Sequence, residues 1–270
     1  MKKIIVNSQW QGGADLITSE GAKEIMSTYL DGTEYINLPV SLDQGDMTVI
    51  KNNIKGFDVL YKQMHLAYTY LSDANLDKIF MIGGGCDADV PAIVYLSEKN
   101  KGDLTVLWLD AHGDLNAPQE STTGLFYGML LRSVMDDFCF GLLENPFPLH
   151  PSQIIHIGGR NFDEAEISFI QESGMQAYSV QDIRNNHELI DKIIRDIPSN
   201  PVYIHLDLDV MDPDDFGNTP LPVEDGLHFD QVYTILEAVD KPVGLGIYEY
   251  ASCGKKSPYM EKLIQFGRKL

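Results

Sequence analysis

The chain has 270 residues, of which 44% are hydrophobic and 22% charged, values that exclude a disordered chain. Forty acidic against twenty basic side chains leave a formal charge of −20, which argues against nucleic acid or an anionic membrane as partner and suits a cationic substrate or a metal ion. The three widely spaced cysteines, Cys86, Cys139 and Cys253, form no disulfide framework and point to a reducing, cytoplasmic setting.

In chain order, the opening MKKIIVNSQW holds an apolar run too short for a signal-peptide core, and residues 3–6 read as a first strand. A strand over 35–38, a helix over 57–71, a strand over 78–82 and a helix over 90–98 follow. A strand over 104–109 then precedes a helix predicted over 124–135. Next come a strand over 153–157, helices over 164–172 and 188–197, and a strand over 202–208. A helix over 229–239, a strand over 243–247 and a helix over 258–269 complete the pattern. Several strand runs are Val, Ile and Leu without alternation, as expected when both faces are covered. Strand and helix in repeated succession predict an α/β fold with a mostly parallel sheet between helices, and residues 1–270 read as one domain. No run of 18 apolar residues marks a membrane span. Segment 212–226, DPDDFGNTPLPVEDG, is predicted to be a long functional loop.

In a parallel sheet, ligands bind beyond the carboxyl ends of the strands. Four predicted strand ends carry polar residues there: Gly83-Gly84-Gly85-Cys86-Asp87, Asp110-x-His112-x-Asp114, Asp207-x-Asp209 and Glu249. If the extended geometry continues, the alternate residues Asp110, His112 and Asp114 point to one side. Carboxylates with an imidazole suit a divalent first-row metal, and the oxygen-rich set favours Mn²⁺ over Zn²⁺. Each pair of carboxylates at ~4 Å would repel by roughly 4 kcal/mol at an effective dielectric of about 20. Four acids can instead hold two divalent ions near neutrality. A single Asp-x-Asp more often caps a turn. A lone His112 would more often be structural, and the triple glycine reads mostly as a tight strand-to-helix turn. It is their coincidence at separate strand ends that favours a metal site. The glycine loop lacks the Lys and Ser/Thr of a phosphate-binding loop, and 207–212 lacks the glycine and terminal Glu of an EF-hand. The Asp-x-Asp also resembles that of haloacid-dehalogenase-type phosphatases, but it lies far from the first strand and Met211 stands where Thr or Val is usual.

On LDAHGDLNAP and IHLDLDVMDPDDFGNTP, with Glu249 behind them, the stretch from about Lys78 to Tyr250 resembles the ureohydrolase family of arginase, agmatinase and formimidoylglutamase. The resemblance implies a three-layer α/β/α sandwich, a trimer or hexamer, and two Mn²⁺ per chain. It implies Asp110 and Asp207 as bridging ligands, Asp114 on one metal, and His112 and Asp209 on the other. It further implies a metal-bridging hydroxide that attacks a guanidinium or amidine carbon. Asp114 would pass a proton to the leaving amine, and Glu249 would orient the cationic group.

Two positions depart from that pattern. Cys86 stands where the family carries a histidine ligand, and reads either as a soft thiolate ligand or as a small buried apolar residue. Asp87 is a further candidate to reach the metal. Tyr127 stands where arginases carry a proton-shuttling histidine, and with a pKa near ~10 it is a poor shuttle at neutral pH. Asn116 and Thr123 match the residues that recognise a substrate carboxylate, and Asp163 and Glu166 match those that bind an α-amino group. The last two also read as the solvated first turn of a helix. The expected substrate is therefore arginine or a hydroxylated arginine, with agmatinase or formimidoylglutamase activity as alternatives. A non-catalytic metal-binding member is a further alternative, motivated by Cys86 and Tyr127.

Overall fold

A computed structural model of the chain describes residues 2–42, 45–186 and 188–270. Its strands are β1 (Lys2–Asn7), β2 (Ile36–Asn37), β3 (Ile50–Lys51), β4 (Ile54–Lys55), β5 (Lys78–Gly83), β6 (Thr105–Leu109), β7 (Ile154–Gly159), β8 (Gln176–Ser179), β9 (Val202–Asp207) and β10 (Gly244–Tyr248). Eight of them form one sheet in the order β2-β1-β5-β10-β9-β6-β7-β8, while β3 and β4 pair separately. Every pairing within the large sheet is parallel.

The helices are α1 (Leu16–Tyr29), α2 (Phe57–Ala74), α3 (Val90–Lys99), α4 (Leu130–Ser133), α5 (Glu164–Ser173), α6 (Val180–Asn185), α7 (Leu189–Asp196), α8 (Pro213–Phe216), α9 (Phe229–Ala238) and α10 (Pro258–Lys269). Alternate strand residues feed two separate cores. Ile5, Ile79, Met81, Val106, Trp108 and Tyr203 pack with α2 and α3 on one face. Ile4, Val6, Phe80, Leu107, Leu109, Ile204 and Leu206 pack with α1, α9 and α10 on the other. This is the three-layer α/β/α sandwich, and burial on both faces explains why the strand runs are apolar without alternation. Among the described residues, no helix is long and apolar enough to cross a membrane.

Among the elements that differ from the sequence reading are α1, β8 and the segment after β6. Helix α1 has a weak apolar pattern because its packed face includes Thr18, Ser19 and Gly21. A Cβ at Gly21 would lie 1.7 Å from the Tyr250 carbonyl oxygen, so closeness to the chain after β10 fixes the residue. Strand β8 is a four-residue edge strand with little buried surface. The helix expected over 124–135 is instead a 3₁₀ turn (Phe126–Gly128) followed by the four-residue α4. Its backbone is spent elsewhere. The Gly128 carbonyl accepts from Asn116 N at 3.0 Å, and Arg132 N donates to the Asp114 carbonyl at 3.0 Å. Those two bonds pin the loop after β6.

The strands β5, β10, β9 and β6 are consecutive at the centre of the sheet. Register pairs Tyr248 with Asp207 and Leu109 with Leu206, so the chain ends beyond them lie side by side.

Candidate metal centre

Asp110 emerges from β6 with both oxygens held. Its Oδ2 accepts the Trp108 indole N–H at 3.1 Å and its Oδ1 accepts the His112 backbone N–H at 2.7 Å. His112 Nδ1 lies 2.9 Å from Asp209 Oδ2 and 3.6 Å from Asp110 Oδ1. At the end of β9, Asp207 Oδ1 accepts from Asp209 N at 2.8 Å and caps the 3₁₀ turn Leu208–Val210. The capping reading and the metal reading of Asp207 therefore coexist, because its Oδ2 faces Cys86 Sγ at 3.1 Å. Asp209 Oδ1 accepts Ala111 N at 3.1 Å, which crosses from β9 to β6.

Asp114 and Glu249 both adopt left-handed backbone, with φ of 56° and 59°. Such conformations in non-glycine residues are sparse and cluster at functional sites. The strand geometry thus does not continue to Asp114, yet Asp114 faces the same cavity as His112. The triple glycine lets the other chains approach. A Cβ at Gly84 would lie 2.1 Å from the Gln9 carbonyl oxygen, and one at Gly85 would lie 2.6 Å from Asp87 Oδ1. Cys86, Asp114, Tyr127, Asp207, Asp209 and Glu249 line a cavity of about 200 Å³. Asp110 itself is buried, at 1% exposure.

Among the described residues, three donor sets have ligand atoms within 4.8 Å of one another: Asp110–His112–Asp209, Cys86–Asp207–Glu249 and Cys86–Asp110–His205. Two metal–ligand bonds of about 2.0–2.3 Å span a similar distance, so the donors suit divalent cations in number, charge and spacing.

The electrostatics support the same conclusion. Burial and the Asp110 charge push the Asp114 carboxyl well above the usual carboxylate range. Burial with Asp209, Asp110 and Glu249 does the same to Asp207, and burial with Asp110 raises Asp209. Burial raises Glu249 to about 8 against the backbone N–H of Cys86, with Asp209, Asp87 and Asp110 adding to the rise. Burial and the surrounding carboxylates keep Cys86 a thiol. Burial alone would neutralise His112, but Asp110 and Asp209 hold its imidazolium to about 12. Asp110 resists its own burial through His112 and is held at about 2. Without cations this cluster must carry protons to avoid mutual repulsion.

The remaining sequence candidates lie beside this cavity. Asn116, Thr123, Tyr127, Asp163 and Glu166 line an adjoining hollow of about 430 Å³ that also touches His112 and Asp114. Asn116 Nδ2 donates to Asp163 Oδ2 at 2.8 Å. Thr123 Oγ1 accepts from Leu125 N at 3.1 Å. Glu166 is buried, and its two oxygens accept from Leu115 N at 2.9 Å and Asp163 N at 2.8 Å, so it joins the loop after β6 to the start of α5. Asp87 joins none of the donor sets: its Oδ2 accepts from Gln9 and, at 3.0 Å, from Gly12 N, while its Oδ1 is buried without a hydrogen bond. Loop 212–226 contributes Pro220 and Leu221 to both hollows.

Sequence reasoning missed His205, Asp89 and Arg160. His205 hides within a strand run that is otherwise apolar, and its partner Asp89 lies on the turn before α3. Arg160 donates to six backbone carbonyls, including that of Asp209 at 2.8 Å.

The chain is 31% identical over 214 residues to an arginase of Staphylococcus aureus (strain COL), a match covering 72% of this chain and 70% of that one. The solved arginase of Entamoeba histolytica, in complex with L-ornithine, superposes with a TM-score of 0.83 at 18% identity and covers 98% of this chain and 96% of its own. Proclavaminate amidino hydrolase from Streptomyces clavuligerus superposes at 0.71 with 20% identity, covering 99% and 88%. The family model described as "Arginase family" matches residues 18–253. Because that match takes in the whole centre from Cys86 to Glu249, the chain belongs to the arginase family, hydrolases of amidino C–N bonds.

Proposed function

We propose that the chain is a binuclear manganese hydrolase that cleaves a C–N bond of arginine or a hydroxylated arginine and releases urea or a urea derivative. The carrying observation is the convergence of Asp110, His112, Asp207 and Asp209 from the ends of β6 and β9. Cys86, Asp110, His112, Asp114, Asp207 and Asp209 would hold two such ions. The predominance of oxygen donors favours Mn²⁺. Divalent ions there would supply the Lewis acidity that makes water a nucleophile at neutral pH.

The chain's own groups then bind, orient and move protons. Glu249, fixed by the Cys86 N–H, presents a carboxylate to a planar cation at the cavity wall. Asp114, which burial and Asp110 incline to hold a proton, is suited to pass it to the leaving amine. Asn116 retains one amide N–H beyond its bond to Asp163 and suits a substrate carboxylate. Asp163 and Glu166 bring negative charge to the same hollow for an α-amino group.

A panel of arginine, hydroxyarginine, agmatine and formimidoylglutamate with Mn²⁺ tests this by urea or formamide release. Turnover of agmatine or formimidoylglutamate alone would redirect the substrate. A second reading, a metal-binding member without turnover, is favoured by Cys86, whose thiol is engaged with Asp207 where the family carries an imidazole ligand. A fully metal-loaded protein that turns over none of the four supports it.

A further inference from the structure

We propose that His205 is the imidazole ligand that position 86 no longer supplies, held in place by Asp89 as its positioning residue; this rests on the metal-centre reading above. His205 lies two residues before Asp207 on β9 and therefore on the same face of the strand. The ring is fully buried between Trp108, with centroids 3.5 Å apart and planes within 1°, and Tyr248, with centroids 4.8 Å apart. It cannot rotate without disturbing both.

The two ring nitrogens have opposite surroundings. Nδ1 lies 2.7 Å from Asp89 Oδ2, and Asp89 also accepts the Tyr203 hydroxyl. With Nδ1 engaged by Asp89, Nε2 is the ring nitrogen left to meet a metal ion. Nε2 is buried and makes no hydrogen bond. It faces Asp110 Oδ2 at 4.0 Å, and with Asp110 and Cys86 Sγ it forms a donor trio within 4.8 Å. A carboxylate on one ring nitrogen with no hydrogen-bond partner on the other is the usual environment of a metal-ligating histidine.

The trio also has a chemical bias. A thiol and an imidazole beside one carboxylate form a softer set than Asp110–His112–Asp209. That position therefore accepts a borderline-soft divalent cation of the Zn²⁺, Co²⁺ or Fe²⁺ class more readily than the Asp110–His112–Asp209 position does, so the two sites of the proposed manganese centre are unequal in preference. The loss of the family imidazole at position 86 and the buried imidazole at 205 then form one exchange: the donor moves from the turn after β5 to the body of β9.

The test uses the whole metal-free protein, loaded with an NMR-active cadmium isotope alone and carrying nitrogen-labelled histidine. His205 is so tightly packed that its own replacement threatens the fold, so the decisive variant is His112→Asn, at the more exposed ligand. A cadmium–nitrogen coupling that persists in His112→Asn supports the assignment to His205. Two ions bound, with all such coupling lost in His112→Asn, overturns this assignment and leaves the metal-centre reading intact. No ion bound to the wild-type chain overturns both. Independently, Asp89→Asn should weaken one of the two ions by roughly 10–100-fold and leave the other unchanged. Equal affinities in Asp89→Asn and wild type count against the positioning role.

Discussion

The Glu249 carboxylate accepts the backbone N–H of Cys86 at 2.9 Å, which ties the end of β10 to the turn after β5. An amide at position 249 keeps that acceptor and removes the charge. Glu249→Gln should therefore fold normally, and it should melt no lower than wild type when metal-free, since it eliminates a buried carboxyl raised to about 8. Its kcat/KM toward a cationic substrate should fall by roughly 10²–10³, the usual loss for one group aimed at reacting charge. Steady-state kinetics beside a melting curve check both halves. A variant with undiminished activity would remove Glu249 from substrate orientation.

Cation removal should make stability pH-dependent. Burial raises Glu249 to about 8 and Asp87 to about 6, against unfolded values of roughly 4. A group with a raised folded pKa binds more protons folded than unfolded. Its contribution is intact below about pH 4 and is lost as pH rises through the folded pKa. The chelated protein should therefore lose melting temperature between about pH 5 and pH 8, by at least roughly 5 °C for the Glu249 share. Saturating Mn²⁺ should flatten that share and leave the Asp87 share, because Asp87 faces Gln9 and Gly12. Parallel melting curves for chelated and loaded protein across that range would contradict the account.

Asn116 and Asp163 meet at the wider hollow, where Asn116 is 5% exposed. Asn116→Ala removes a donor suited to a charged ligand group, worth about 1.5–3 kcal/mol, or roughly 10–100-fold. The loss should fall on KM for arginine, with kcat little changed, and should spare agmatine, which has no carboxylate. Equal losses for both substrates would show that Asn116 acts through Asp163 on the fold of the loop.

How far the sequence discloses this centre depends on where each residue sits. Asp110 and Asp207 stand out because charges directly after largely apolar strands have no place in a core. The sheet is equally readable, since cover on both faces makes its strands uniformly apolar. Helix α1 is not, because Thr18, Ser19 and Gly21 occupy its packed face. His205 is one polar residue in VYIHLD, and only the fold brings Asp89 and Cys86 to its two ends. Glu166 is read from the sequence as a substrate contact, whereas its backbone contacts depend on the loop 113–115 reaching α5. Arg160 was hidden for a similar reason: its partners are backbone carbonyls, which carry no sequence signature.

Arg160 supports the last prediction. Its Nε and both terminal nitrogens donate to the carbonyls of Gly158, Asp209, Val210, Met211, Val223 and Glu224, at 2.6–3.4 Å. One planar guanidinium thus fastens loop 212–226 to the turn that carries Asp209. A lysine offers three donors on a single atom and cannot reach both ends of that fork. Arg160→Lys should cost about 2–4 kcal/mol, since several buried carbonyls lose charged donors, and should lower the melting temperature by roughly 5–10 °C. It should also expose 212–226 to proteases before the rest of the chain and weaken binding of the ion proposed at His112 and Asp209. Limited proteolysis with mapped cleavage sites separates this from general destabilisation. A variant that melts within about 2 °C of wild type, with the loop still protected, would show that the loop is held by its own contacts, such as Asp212 Oδ2 accepting Gly226 N at 3.0 Å.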